Sequence, residues 1–101
     1  MKTIHKYRLQ ITASQPVLMP LGAEILTVQS QLETPCLWAL VDPEVESEMR
    51  IIEIFGTGDP IPEKASRNRR YIGTFQIKGG ESVFHAFEYI RSGHTDFFTK
   101  T

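Results

Sequence analysis

One cysteine, one tryptophan, no long apolar run and no excess of either charge mark this chain of 101 residues. Each shortage removes a class of protein. A lone Cys36 has no intrachain partner, so a disulfide framework is excluded, and its setting between Pro35 and Leu37, Trp38, Ala39 predicts a buried thiol in a reducing cytoplasm. No apolar stretch approaches the roughly 20 residues that span a bilayer, so no membrane-embedded segment is expected. The amino end, Met1 to Lys6, runs into alternating Tyr7, Arg8, Leu9, Gln10 and Ile11 rather than a continuous apolar segment, and no signal peptide is expected. Eleven basic against twelve acidic side chains argue against whole-surface capture of DNA or anionic lipid and against sequence-specific nucleic-acid binding. Any charged partner must be read by a local patch.

What is present is strand composition. Thr3 to Ile11 alternates, and Val17 to Met19 is a short extended piece between Pro16 and Pro20, as at a sheet edge. Ala23 to Gln31 is β-branched at its centre. Thr34 to Val41 is apolar on both sides, with Cys36, Trp38 and Leu40 opposed to Leu37, Ala39 and Val41, which predicts a central strand covered on both faces with Trp38 in the core. After an acidic turn, Met49 to Phe55 resumes the pattern. Tyr71 to Ile77 and Val83 to Tyr89 flank the glycine turn Lys78 to Ser82 as a hairpin whose Phe75, Phe84 and Phe87 are expected to be mostly structural. About seven mostly antiparallel strands with no convincing amphipathic helix predict an all-β fold, a single small β-sandwich or partly open barrel over residues 1–90, with 91–101 as a C-terminal tail. A domain of this length buries somewhat over ~60% of its unfolded surface.

Chemical signatures are few. Asp42, Glu44, Glu46 and Glu48 fall at every second position, but no glycine shapes a calcium loop, and a solvated turn is the plainer reading. Gly56, Thr57, Gly58, Asp59 lacks the third glycine and the Lys-Ser/Thr of a phosphate loop, and Pro60 and Pro62 forbid an immediate helix. His5, His85 and His94 have no Cys or carboxylate at ligand spacing, and Ser66, Ser82 and Cys36 lack the context of an activated nucleophile. No catalytic residue, metal ligand or cofactor is assigned. The remaining candidate is the connection from Gly56 to Arg70, about 15 residues read as loop. It would present Arg67, Arg69 and Arg70, helped by Lys64 and beside Tyr71, to a phosphate or carboxylate. Phe97 and Phe98 in the tail must dock on something or be exposed.

The segments Ala23 to Gln29, Cys36 to Asp42, Gly56 to Ile61, Tyr71 to Phe75 and Phe84 to Glu88 together resemble a family of small uncharacterised proteins from tailed bacteriophages and prophages. The resemblance covers about residues 3–90 and carries no catalytic residues. It implies a phage-encoded accessory protein acting in the host bacterial cytoplasm. The favoured expectation is therefore an interaction protein that binds an unidentified host or phage protein, through a sheet edge, the arginine loop with Lys64, or the Phe97, Phe98 tail, and inhibits a host system. The alternative is a small-ligand binder that holds an anionic nucleotide between Arg67, Arg69 or Arg70 and Tyr71. A small hydrolase using His85 or His5 is a weaker third. Pairing of exposed edges into a homodimer is also expected.

Overall fold

The computed structural model describes residues 1–63 and 67–91. Seven strands, β1 (Thr3–Arg8), β2 (Gln15–Pro20), β3 (Glu24–Gln31), β4 (Thr34–Val41), β5 (Ser47–Gly56), β6 (Arg67–Ile77) and β7 (Ser82–Arg91), form two antiparallel sheets. One has the order β1-β4-β3 and the other β2-β5-β7-β6. The expected all-β sandwich is what the chain forms, and it is not a closed barrel.

Alternation divides each strand between an inner and an outer face. Val17 and Met19 of β2, Ile52 and Ile54 of β5, Phe75 of β6 and Ala86 of β7 turn inward against Val28 of β3 and Leu37, Ala39 and Val41 of β4. Burying each of the larger of these side chains stabilises the fold by about 1.5–3 kcal/mol. Phe75 stacks on Phe84, ring centroids 5.7 Å apart. Phe87 instead faces outward, opposite Tyr71 in the register.

The two sheets meet along a seam between β3 and β6. An added Cβ at Gly73 would lie 3.0 Å from Val28 Cγ1, so only glycine lets the strands approach this closely without displacing the valine. Beside that contact both strands carry a bulge. The β3 register shifts between Ile25 and Thr27, and the β6 register shifts between Tyr71 and Gly73, leaving Leu26 and Ile72 without cross-strand partners. At the other end of the seam, the hairpin tip at Leu32 and Glu33 has two positive φ angles, 52° and 66°, as a two-residue primed turn requires. The Glu33 carboxylate accepts the backbone N–H groups of Lys78 and Gly79, and so fastens one hairpin turn to the other.

Two expectations are revised and a third holds. The β4 strand is covered on one side only: Cys36 is buried, but Trp38 and Leu40 are half-buried on the outer face of the three-stranded sheet, opposite Lys6 and Ile4. Trp38 is therefore not a core residue. The arginine segment is strand rather than loop, because β6 begins at Arg67. The acidic stretch is the solvated turn that was expected. Asp42 Oδ1 accepts the Glu44 N–H at 3.1 Å within a turn, whereas Glu48, on β5, accepts from the Gly22 N–H and sits 3.5 Å from Arg50.

Candidate functional site

Strand β6 carries the arginines, and its alternation separates them. Arg69 pairs in register with Tyr89 and Tyr71 with Phe87 on the outer face, whereas Arg70 pairs with Glu88 on the inner face. Arg67 opens the strand opposite Arg91. The guanidinium groups of Arg69 and Arg70 are thus not gathered on one ligand, and the side chain of Arg67 lies outside the described residues. Lys64, Phe97, Phe98 and His94 lie outside the described residues.

On the outer face Arg69 reaches diagonally across β7 to β5. Its Nε donates to Glu53 Oε1 at 2.6 Å and its Nη2 to Oε2 at 3.5 Å, while Nη1 donates to the carbonyl of Pro62 at 2.8 Å. The guanidinium carbon lies 5.7 Å from the centre of the Phe55 ring, within cation–π range. Glu53 is only 3% exposed, although no second sheet covers it. The chain after β5 supplies part of the cover: Asp59 Oδ2 accepts the Gly56 N–H at 2.9 Å and closes the turn that leads to Pro62. Phe55, Phe87 and Tyr71 continue the face as edge-to-face ring pairs at 6.0 and 5.4 Å.

Beside the rings runs a chain of hydroxyl and imidazole contacts. Tyr71 Oη and Thr74 Oγ1 are 2.5 Å apart, Thr74 Oγ1 and His85 Nδ1 2.9 Å, and Thr57 Oγ1 and His85 Nε2 2.7 Å. A hydroxyl in contact with a base that is itself oriented by a third group is the arrangement nucleophilic catalysis needs. Here the orienting group is a hydroxyl and not a carboxylate. Neither the pocket at Arg70 nor a wider hollow of about 430 Å³ beside Pro60 and Phe84 includes His85 in its lining. His5 stands apart, on β1 of the other sheet, edge-on to Tyr7.

Toward its far end from Arg69, across β5 and away from the arginine, the same outer face becomes apolar. Leu18 of β2 and Met49 of β5 are register partners, 59% and 60% exposed, and the half-buried Ile51 and Tyr89 join them to the aromatic rows.

On the inner face Arg50 takes the corresponding position. Its Nε and Nη2 donate to the two oxygens of Glu88, and Nη1 donates to the Ala23 carbonyl at 3.0 Å. Burial opposes the Arg50 charge, but the hydrogen bond and charge of Glu88, with Glu48 behind it, outweigh that and hold its pKa above the ordinary arginine value. Glu88 and Arg50 border a cavity of about 150 Å³ whose lining also includes Arg70 and the two bulged residues Leu26 and Ile72. Among the described residues no group of three or more His, Cys, Asp or Glu side chains could hold a metal ion.

The sequence reading missed Glu53, Glu88 and Arg50. The signal was available: Glu53 lies inside Ile51, Ile52, Ile54, Phe55, and Glu88 between Phe87 and Tyr89, where a lone carboxylate demands a cation.

A family model described as a domain of unknown function, DUF7352, matches residues 1–95. The chain belongs to that family. The match runs through the arginine stretch and past Ile90, so both lie within the family's extent. No curated protein and no solved structure shows significant similarity to the chain. Among the described residues no helix is long and apolar enough to cross a membrane.

Proposed function

We propose that the protein is an interaction module that docks on another protein through the outer face of its four-stranded sheet. The observation that carries this reading is the exposed Leu18–Met49 pair, continuous with Tyr71, itself 57% exposed, through Ile51, Tyr89 and Phe87. Contiguous exposed apolar and aromatic surface has the make-up of a recognition patch, in which rings and apolar side chains anchor a partner. The phage or prophage resemblance makes the partner a host or phage protein in the bacterial cytoplasm, and inhibition of a host system the consequence of binding. A nucleotide is supported less well, because Arg69 is already engaged by Glu53 and Arg70 lies on the opposite face.

The test is affinity capture from a bacterial host with the tagged chain, followed by the same capture with Leu18→Glu and Met49→Glu combined. The expected result is a partner retained by the wild-type chain and lost, at least about tenfold, from the variant. A partner retained equally by both would remove the outer face from the account, and a second copy of the chain as the captured species would make the face a homodimer interface.

A further inference from the structure

The cavity on the inner side of the four-stranded sheet has features that packing alone does not require. Two bulges, one from each sheet, face each other across the β3–β6 seam, and both bulged residues, Leu26 and Ile72, line it. Each bulge leaves a residue outside the cross-strand ladder, and bulges are over-represented beside binding and active sites. Arg70 is the second feature. It stands directly opposite Glu88 in the register, yet both Glu88 oxygens are held by Arg50, and the exposed Arg70 side chain has no hydrogen bond or ion pair among the described residues. Arg50 in turn has Glu88 and Glu48 as counter-charges. The cation left over at the cleft is Arg70.

We propose that the cleft between the two bulges is a binding site for a carboxylate on a short apolar stem, with the Arg70 guanidinium gripping the carboxylate and Ile25, Leu26 and Ile72 receiving the stem. Size sets the first limit. A cavity of about 150 Å³ holds the volume of roughly five waters and is smaller than the ~300 Å³ at which pockets for drug-sized ligands begin, so a nucleotide does not fit inside it. Charge sets the second. Arg50 and Arg70 in the lining are matched by Glu24 and Glu88, so the cleft has no net positive charge and disfavours a phosphate dianion more than a monoanion. A planar carboxylate matches the guanidinium fork with two parallel hydrogen bonds. The same chemistry comes from a free short-chain acid or from a Glu or Asp side chain of a bound protein. The cleft borders the inner side of the sheet, although Tyr71 of the docking face also lines it, and the proposal does not rest on that reading.

Amide spectra of the full ¹⁵N-labelled chain at pH 7 and constant ionic strength test this, with butyrate, a blocked Ala-Glu-Ala peptide and inorganic phosphate as separate titrants. Butyrate or the peptide should give saturable shifts confined to residues 23–26 and 70–73. Arg70→Gln should weaken binding by at least about tenfold. Arg8→Gln, an exposed arginine on the outer face of the other sheet, should leave it unchanged. The spectrum of Arg70→Gln away from the cleft reports that the variant is folded. Tighter binding of butyrate assigns the site to a free acid, and tighter binding of the peptide assigns it to a partner's side chain. Absence of saturable shifts with both carboxylates, shifts that survive Arg70→Gln, or tighter binding of phosphate than of either carboxylate would overturn the proposal.

Discussion

Arg50 and Arg69 each meet a glutamate with two nitrogens and give a third to a backbone carbonyl, one on the inner face of the four-stranded sheet and one on the outer. Their side chains are similarly buried, 15% and 13% exposed. Their surroundings differ. Arg50 lies between two sheets and has a second carboxylate, Glu48, at 3.5 Å. Among the described residues Arg69 has one carboxylate, Glu53, and its cover comes from an aromatic ring and the chain near Pro62. The inner guanidinium is backed by a spare carboxylate, and the outer one has none among the described residues. Burial by itself therefore does not rank the two; the number of counter-charges left after one is removed does.

The comparison breaks most sharply at Glu53. Glu53→Ala leaves the Arg69 guanidinium with no carboxylate among the described residues, and we expect a loss of about 3–5 kcal/mol in urea denaturation. Glu88→Ala leaves Arg50 with Glu48 and the Ala23 carbonyl, and the expected loss is smaller, about 1.5–3 kcal/mol. A larger loss at Glu88 than at Glu53 would mean that enclosure between sheets outweighs the spare carboxylate. An uncharged group sharpens the same point at low cost. The Tyr7 hydroxyl is buried with no hydrogen-bond partner among the described residues, so Tyr7→Phe should leave stability unchanged or raise it by up to about 1 kcal/mol at pH 7.

Tyr7 also has a pH signature. Burial pushes its phenol above the usual tyrosine pKa, so the neutral form is favoured in the fold. That contribution is fully present below about pH 10, the unfolded value, and is lost as pH rises through the higher folded value. The wild-type chain should therefore lose stability above pH ~10 relative to Tyr7→Phe, measured as thermal midpoints at pH 7 and 11. Parallel curves for the two proteins would show that the phenol reaches water.

The strands were legible because their residues alternate, as in β1, or are apolar continuously, as in β4. The arginine segment was not. Arg69 and Arg70 read as loop because no apolar period accompanies them, yet each is accommodated in β6 by its own face: Glu53 and Phe55 for Arg69, and the cleft beside Glu88 for Arg70. Those neighbours come from β5 and β7, and a local pattern cannot register a cross-strand carboxylate. Bulges are equally hidden, since a single extra residue at Leu26 or Ile72 leaves no mark in composition while it reverses the facing of every residue after it. Trp38 was misplaced for a related reason. Apolar residues on both sides of β4 imply two covers, but the three-stranded sheet has one, and the indole is left half-exposed beside Lys6.

The central proposal is that the exposed apolar end of the outer face, Leu18 with Met49, meets a partner without contributing to the fold. Its most direct test is calorimetric titration of the captured partner into wild-type chain and into the Leu18→Glu, Met49→Glu variant, with urea denaturation of both proteins alongside. The account predicts binding weakened by at least about tenfold, with stability changed by no more than about 0.5 kcal/mol because both side chains are exposed. Undiminished binding by a variant of unchanged stability would contradict it.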